Sequence, residues 1–381
     1  MSRALYPHFL HGSVRRSASI ATAVRRAGHA ALGAVLVVAA SACGRDAPPT
    51  GGAAGVLGDP SRHLVAITAG PSREPRTNYS LVLSGRVSAS GRHVALVDLR
   101  APYVRVYRRD GQLRSAFLKD GRGPAEARGV AAIALGGDSL VLVADIDGRV
   151  RTFDLDGRLR QDVPDLPLSV VSATSACPGE WLLYGARVGA DRKFARWLHR
   201  LRIGAGGVSV SSMLEEPFNA AQPRRGPAGV LVSTPGGAAL WHGLGGAPRL
   251  ATWTCGAESP VLAPIDDHVP PPSAPGAGGT TTEAVQPGTR MRAGLAAARG
   301  ALYKAEIVSA QAGSPEHAEL AAVRPGSAAA RLPGSVLLLD SRPGVGVLVQ
   351  VFQGQTQRVL LISEQDFLTL TLQGQAKEPR D

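Results

Sequence analysis

Two stretches of this chain repeat the same order of residue types, and this repetition limits the folds that the chain can adopt. The stretch 98–114, DLRAPYVRVYRRDGQLR, corresponds to the stretch 145–160, DIDGRVRTFDLDGRLR. The two copies are offset by 47 residues, measured from Asp98 to Asp145. A repeat of this length is typical of architectures in which each unit is one supersecondary element that packs against the next.

Each copy belongs to a longer unit made of four short apolar runs. In the first unit these runs are separated by turns that contain glycine and aspartate, and they cover 81–88, 93–98, 103–108 and 113–119. The second unit repeats the arrangement over 130–163. Four such runs predict an up-and-down antiparallel sheet of four strands.

Fainter units continue this period toward the end of the chain, over 168–214, 230–265, 290–323 and 336–372. Within them, apolar residues at 194–201 also fit the spacing of a short helix, although a strand fits the register better. Six units of about 50 residues each are near the size of propeller repeats. The sequence therefore predicts an all-β fold, a six-bladed β-propeller of four-stranded antiparallel blades.

The last unit and a lone N-terminal run complete the predicted ring. The alternation of leucines over 367–372 predicts the fourth strand of the sixth unit. The run 63–68, HLVAIT, has no partner nearby in the sequence. An N-terminal strand that joins the C-terminal blade closes a propeller and hides unpaired edges, and we expect this role for 63–68.

The repeated residues resemble a known group of propellers. The pattern Val-Ala-Asp followed by Arg-Val-x-x-Phe-x-x-Asp-Gly-Arg-Leu, at 143–159, is similar to the six-bladed propellers of the NHL and TolB-like kind. The linker Gly121–Glu126 resembles the Gly-x-Gly-Pro-Gly-Glu that joins blades in bacterial propeller lipoproteins, although Ala125 stands where that pattern has glycine. The resemblance is strong over 81–163 and implies the same propeller fold.

The N-terminus has the features of a secretory leader. A long basic region precedes an apolar run at 30–40, which predicts a signal peptide over 1–42. The residues Ala40-Ser41-Ala42-Cys43 resemble a lipobox, which implies that Cys43 is lipidated and becomes the mature N-terminus. Ala40 replaces the usual leucine, so ordinary cleavage after Ala42 stays open. In a bacterium with two membranes, Gly44 implies sorting to the outer membrane.

These features predict the order of domains and the location of the protein. A lipidated, flexible tether over 43–60, rich in glycine, alanine and proline, connects the leader to the propeller at 61–375. The propeller contains a disordered loop at 266–289, and a tail follows at 376–381. We expect an exported outer-membrane lipoprotein that faces the periplasm or the cell surface and meets the membrane through its lipid anchor.

The charge of the chain disfavours one class of partner. The formal net charge is +12, but the arginines are scattered along the chain and only 4% of the residues are aromatic. A nucleic-acid interface would need a basic stripe with interleaved aromatic residues. The composition therefore predicts no nucleic-acid partner.

No complete catalytic or metal-binding set is found in the sequence. Residues 137–140 spell GDSL, but the Asp-x-x-His that would serve Ser139 is missing, since Ile265 stands three residues before His268. The Asp-Gly segments that begin at Asp145 and Asp154 lack the remaining ligands of a calcium loop and fit turns better. We therefore predict no catalytic residue, no metal site and no cofactor.

The remaining two cysteines raise the question of a disulfide. In the predicted blades, Cys177 and Cys255 lie in turns on the same face of neighbouring units. An exported compartment permits a disulfide. One turn lies near the channel and the other near the rim, so both a bond and two free thiols stay open.

One face of the predicted propeller collects the charged residues that are candidates for ligand binding. Loops between second and third strands emerge on the same face as the linkers between blades. The charged residues of this face are Arg100, Arg122, Glu126, Arg128, Asp145, Asp147 and Arg149. Such mixed charges around a channel mouth suit a polar ligand or a protein partner, or are simply solvated.

Three functions are compatible with these features. The residues favour an envelope-anchored lipoprotein whose propeller is a non-catalytic module that binds or scaffolds a protein or a small polar ligand. The alternative is a metal-dependent propeller enzyme of the lactonase or lyase type, acting on a small envelope substrate. A third possibility is a role in the assembly of outer-membrane components.

Overall fold

The computed structural model describes residues 53–59, 63–69, 82–164, 166, 168–188, 194–204, 207–217, 229–242, 249–264, 290–309, 316–324, 327–353 and 356–373. Within these ranges the strands form six four-stranded sheets and one two-stranded sheet. The predicted signal peptide, Cys43, the loop 266–289 and the tail 376–381 lie outside the described residues.

The strands follow one another in the up-and-down order that the repeats predict. An N-terminal strand, β1 (His63–Ala69), precedes sheet 1, which consists of β2 (Val82–Val87), β3 (His93–Asp98), β4 (Val104–Arg108) and β5 (Leu113–Phe117). A linker with β6 (Lys119–Asp120) and β7 (Glu126–Ala127) leads to sheet 2, which consists of β8 (Val130–Gly136), β9 (Leu140–Asp145), β10 (Val150–Asp154) and β11 (Leu159–Val163).

The other four sheets repeat this order. Sheet 3 consists of β12 (Ser169–Cys177), β13 (Glu180–Val188), β14 (Phe194–Gly204) and β15 (Gly207–Pro217), and sheet 4 of β16 (Gly229–Thr234), β17 (Gly237–His242), β18 (Arg249–Thr254) and β19 (Val261–Pro264). Sheet 5 consists of β20 (Arg290–Ala298), β21 (Ala301–Val308), β22 (His317–Ala322) and β23 (Ala330–Pro333). Sheet 6 consists of β24 (Val336–Arg342), β25 (Gly346–Gln353), β26 (Thr356–Ile362) and β1.

The six sheets form a closed ring. The first strand of each sheet contacts the first strands of both neighbouring sheets, in the circular order β2, β8, β12, β16, β20, β24 and back to β2. The prediction of a six-bladed propeller of four-stranded antiparallel blades is therefore confirmed. The ambiguous stretch at 194–201 is part of strand β14.

The middle strands explain why the apolar runs are nearly continuous. In β9, Val141 and Val143 pack into the core between sheets 1 and 2, while Leu142 and Ala144 pack into the core between sheets 2 and 3. Side chains of a strand alternate between its two faces, and here both faces are covered by a neighbouring sheet. A strand buried on both sides selects apolar residues at every position, which contributes about 25 cal/mol per Å² of apolar area removed from water.

The N-terminal strand closes the ring as expected. Strand β1 pairs antiparallel with β26, with Val65 opposite Leu361 and Ile67 opposite Val359. Both Val65 and Ile67 are buried. The sixth sheet therefore combines three C-terminal strands with one N-terminal strand.

The prediction of a strand at 367–372 is wrong, because this segment lies in helix α2 (Glu364–Gln373). Ser363 caps the helix: its Oγ accepts a hydrogen bond from the Asp366 amide at 3.1 Å and donates one to the Asp366 carboxylate at 2.7 Å. Phe367 and Leu370 face the core at helical spacing, whereas Leu372 is exposed. The edge that this segment was expected to fill is occupied by β1.

The flexible tether predicted for 43–60 is wrong over 53–58, which form the short helix α1 (Ala53–Gly58). Val56 and Leu57 are buried, and α1 contacts α2. The His63 Nε2 lies 3.1 Å from the Val56 carbonyl oxygen, and Arg358 donates to the Leu57 carbonyl at 3.4 Å. Among the described residues, no helix has the length and apolar character needed to cross a membrane.

A buried arginine ties three sheets together at the centre of the ring. Arg86 of β2 donates hydrogen bonds to the carbonyl oxygens of Ala173 on β12 at 2.8 Å and Leu339 on β24 at 2.7 Å. It also donates to the Ser172 hydroxyl at 3.0 Å. Asp340, fully buried beside it, accepts a hydrogen bond from the Val87 amide at 2.8 Å. Burial lowers the pKa of Arg86 and raises the pKa of Asp340.

A second arginine adds a similar connection between sheets. Arg342 of β24 donates to the Ser175 carbonyl at 3.1 Å and to the Ser233 hydroxyl at 2.9 Å. Ser233 in turn lies 2.8 Å from Thr174. The inner strands of sheets 3, 4 and 6 are therefore joined by polar side chains as well as by packing.

A disulfide connects sheets 3 and 4. Cys177 and Cys255 are bonded, with their Cα atoms 5.9 Å apart. The turn after β18 folds over the hairpin between β16 and β17, since the Cys255 amide donates to the Gly236 carbonyl at 2.8 Å. This hydrogen bond brings a turn of the outer strands next to the end of the inner strand β12.

We predict that Arg86→Met lowers the free energy of unfolding by about 3–5 kcal/mol, because it removes a compensating charge near the buried Asp340 carboxylate and the donor to the Ala173 and Leu339 carbonyls. Urea unfolding followed by circular dichroism measures the change. Arg92→Met, at an exposed arginine, is the matched control. The double variant Arg86→Met/Asp340→Asn should recover part of the loss; equal stability of Arg86→Met and the wild type would contradict the assigned role.

We predict that Cys177→Ala/Cys255→Ala lowers the unfolding free energy by about 2–5 kcal/mol, since the bond closes a loop with a sequence separation of 78 residues. The wild type treated with a reductant should unfold at the same urea concentration as the variant. Thiol titration of the unfolded, unreduced protein is the second measurement. Two free thiols would show that the bond does not form.

Candidate functional site

The charged loops between sheets 1 and 2 enclose a cleft. Its volume is about 380 Å³, and it is open to solvent. The residues that line it are Gly121, Arg122, Glu126, Arg128, Asp145, Asp147, Arg149 and Pro164. Six of the seven charged residues that the sequence assigns to this face thus meet in one place. The seventh, Arg100, is exposed on the loop between β3 and β4 and does not line the cleft.

The linker that forms one wall of the cleft is a folded loop. Strands β6 and β7 pair in parallel, with Lys119 opposite Glu126 and Asp120 opposite Ala127. Leu118, directly before this pair, is buried and has a φ of 70°. Leucine is strained in the left-handed region, so the packing of its buried side chain must stabilise this backbone conformation at the start of the linker.

Glu126 organises the tip of the linker. Its Oε2 accepts hydrogen bonds from the amides of Arg122 at 3.0 Å and Gly123 at 2.8 Å. Gly121 has a φ of 146°, and a Cβ at this position would overlap the Glu126 carboxylate. Glycine is required there for both reasons. Ala125 does not have a positive φ, so this position does not require glycine.

A buried ion pair forms the floor beneath the loop. Arg151, with 0% of its side chain exposed, lies 2.9 Å from the Asp145 carboxylate, which is 6% exposed. Arg151 also donates to the carbonyl oxygens of Pro124 and Glu126 and so holds the linker against β10. Burial raises the pKa of Asp145 and lowers the pKa of Arg151.

Asp145 also shapes the second wall, the loop between β9 and β10. Its Oδ1 accepts hydrogen bonds from the amides of Asp147 at 3.0 Å and Arg149 at 2.9 Å. An aspartate that accepts from the backbone two residues on forms an Asx turn. The carboxylate is therefore used to fold the loop, in agreement with its predicted place in a turn.

Arg149 joins the two walls. Its Nε donates to Asp162 on β11 at 2.7 Å, and its Nη1 lies 3.4 Å from the carbonyl oxygens of Arg122 and Gly123. The hydrogen bond from Arg149 holds the pKa of Asp162 below its usual range. Arg149 therefore serves mainly to fix the linker to sheet 2.

Two arginines of the cleft are not used in this way. The side chains of Arg122 and Arg128 are exposed and have no hydrogen-bond or ion-pair partner among the described residues. The carboxylates of Glu126 and Asp145 are occupied by backbone amides and Arg151, and Asp147 is engaged as well. The chemistry that the cleft offers to a ligand is that of two guanidinium groups.

Sequence reasoning missed Arg151 and Asp162, although a signal for Arg151 is present. Arg151 is the second residue of the largely buried strand β10, and Arg105 occupies the same position of β4. Arg105 pairs with Asp98 at 3.2 Å, as Arg151 pairs with Asp145. A charge that recurs inside a buried strand needs a partner, and the repeated aspartate is the nearest candidate.

Across the described ranges, no group of three or more histidine, cysteine, aspartate or glutamate side chains is arranged to hold a metal ion. Ser139 of the GDSL segment is exposed in the turn between β8 and β9, where its amide donates to the Gly136 carbonyl at 3.4 Å. This is the turn position expected from the repeat.

No protein-family model matches the chain, and no curated protein is detectably similar to it in sequence. Similar solved structures include the Cps50 (Swd1) β-propeller domain of Myceliophteria thermophila. It is 12% identical to this chain, and the match covers 74% of this chain and 100% of that chain with a TM-score of 0.42. Hydrazine synthase of Kuenenia stuttgartiensis is 10% identical over 74% of this chain and 80% of that chain, with a TM-score of 0.42. BamB from Moraxella catarrhalis is 9% identical over 74% and 86% of the two chains, with a TM-score of 0.40. Likeness at this level carries no inference about ligand or activity.

We predict that Glu126→Ala loosens the linker, because the Arg122 and Gly123 amides lose an acceptor whose hydrogen bonds contribute about 1.5–3 kcal/mol. Limited trypsin digestion with mass spectrometry should show cleavage after Arg122 about tenfold faster than in the wild type, since a protease cuts the transiently opened loop. Glu258→Ala, at an exposed glutamate, is the control. An unchanged cleavage rate would contradict the role of Glu126.

Proposed function

We propose that this protein is an exported, envelope-anchored lipoprotein of the outer membrane whose propeller is a non-catalytic module that binds a protein or a small polar ligand. The observation that carries this proposal is the cleft between sheets 1 and 2. Its walls are fixed by internal hydrogen bonds, and two exposed guanidinium groups remain for a partner.

The rigidity of the cleft supports binding. Glu126, Arg149 and Arg151 hold the linker through hydrogen bonds to its backbone. A loop that is already ordered loses little conformational entropy when a ligand binds, so more of the contact energy becomes affinity. The same rigidity keeps Arg122 and Arg128 on the surface of the cleft.

The way in which the acidic residues are used supports a non-catalytic role. General acid–base or nucleophilic catalysis needs a side chain that can reach a substrate and exchange a proton with it. The Asp145 and Glu126 carboxylates accept hydrogen bonds from backbone amides of the loops that they shape. Both carboxylates are therefore used to fold the loops of the protein itself.

The leader supports anchoring at the envelope. Cys43 follows an apolar run, where a lipid-transfer enzyme would reach its thiol, and acyl chains would then hold the protein at the membrane. From Cys43 to Ala53, where α1 begins, the chain spans at most about 33–36 Å. The anchored propeller would therefore stay close to the membrane surface.

We predict that Cys43→Ala releases the protein from the membrane fraction and that the anchored wild type captures a partner in a crosslinked pull-down from membranes. Both forms are processed in parallel, and immunoblotting of the soluble and membrane fractions measures the release. Crosslinking to a reproducible partner, identified by mass spectrometry, supports the binding module. Unchanged membrane attachment of Cys43→Ala would contradict the anchor, and no crosslinked partner or ligand would contradict the binding module.

A further inference from the structure

The parallel pairing of the linker places two like charges at the same end of the linker, and both line the cleft. Arg122 follows β6, and Arg128 follows β7. Because parallel strands run in the same direction, residues that follow them leave at the same end of the pair. The Gly121 amide donates to the Ala127 carbonyl at 3.0 Å, which extends the pairing up to these two arginines.

The side chains of Arg122 and Arg128 both line the cleft, and an anion bound between two guanidinium groups would offset their mutual repulsion. Elsewhere around the cleft each arginine has an acidic partner, as Arg149 has Asp162 and Arg151 has Asp145. Arg122 and Arg128 have none among the described residues. The guanidinium groups of Arg122 and Arg128 are therefore available to an anion from outside the chain.

We propose that the cleft binds the carboxylate groups of an acidic polypeptide segment through Arg122 and Arg128. This inference rests on the proposed binding function and names its ligand class. Guanidinium groups match carboxylates in planar, bidentate geometry. Clusters of arginine are a general solution for recognition of acidic motifs in extended peptides.

The surroundings of the arginines favour a polypeptide over a small free anion. Pro124 and Ala125, at the tip of the linker, are exposed and carry no charge. They lie between Arg122 and Glu126 in the chain, outside the residues that line the cleft, and offer apolar contact area that a chain of residues can cover and a small ion cannot. The cleft, with a volume of about 380 Å³, is open to solvent and so can admit a segment that continues beyond it.

The test measures binding of short labelled peptides to the full-length protein, extracted from membranes in detergent, by fluorescence anisotropy. One probe alternates glutamate with glycine, and its uncharged counterpart alternates glutamine with glycine. Arg122→Ala/Arg128→Ala removes both guanidinium groups. Arg92→Ala/Arg109→Ala changes the net charge equally, at exposed arginines in hairpins on the opposite face, and is the matched control.

We expect the glutamate peptide to bind the wild type and the control, and the Arg122→Ala/Arg128→Ala variant at least about tenfold more weakly. Salt should weaken binding because exposed charges are screened, and the glutamine peptide should not bind. Equal binding to both double variants, or no binding of the glutamate peptide to the wild type, would overturn the inference. Inorganic phosphate at matched ionic strength is the competitor: if it binds with the same arginine dependence and displaces the peptide fully, the site is one for small anions.

The peptide measurement and the membrane pull-down can fail separately. If the pull-down captures a partner equally well with Arg122→Ala/Arg128→Ala, the protein is a binding module and the acidic-segment assignment is wrong. If no partner is captured and no peptide binds, the proposed function itself is wrong. Urea unfolding of each variant shows that any loss of binding is not a loss of folding.

Discussion

The sheets of this protein depend on their neighbours in the closed ring, because inner strands such as β9 bury apolar side chains on both faces. Val141 and Val143 of β9 need sheet 1, and Leu142 and Ala144 need sheet 3. An open arrangement would expose one apolar face at each end. Pairing of β1 with β26 prevents this by completing the sixth sheet, so residues near the two ends of the described chain support every interface between them.

Near the centre of the ring, buried charged side chains connect the inner strands of different sheets. Arg86 connects inner strands of sheets 1, 3 and 6, and its position beside Asp340 keeps two buried charges together. Loss of the Arg86 charge would leave the Asp340 carboxylate less well compensated, so this cluster favours the arrangement of the sheets that brings the two buried charges close.

The aspartate–arginine pair that recurs in sheets 1 and 2 has an additional structural role in sheet 2. In sheet 1 the pair of Asp98 and Arg105 stabilises a loop and the strand beside it. In sheet 2 the pair of Asp145 and Arg151 does the same and also holds the linker that carries Arg122. The cleft is therefore built on a structural pair of the repeat, and the part that is particular to the site is the linker.

The sequence by itself determined the strands of the first two sheets, their turns, the number of blades and the role of 63–68 at the edge, because these features depend on patterns among near neighbours or on the repeat itself. It also predicted six of the residues that meet in the cleft, since loop and linker positions follow from the order of strands. Their use as a binding site remains a prediction.

Only the tertiary structure decided which charged side chains have a partner, where the two helices pack and that Cys177 and Cys255 form a disulfide. Arg86 bonds to Ala173 and Leu339, which lie 87 and 253 residues away in the chain, a distance at which no local pattern is informative. The alternating leucines of 367–372 fit a strand, but the cap at Ser363 and the edge already filled by β1 favour a helix. Arg122 and Arg149 look alike in sequence, and only the folded structure pairs Arg149 with Asp162 of β11 and leaves the Arg122 side chain exposed.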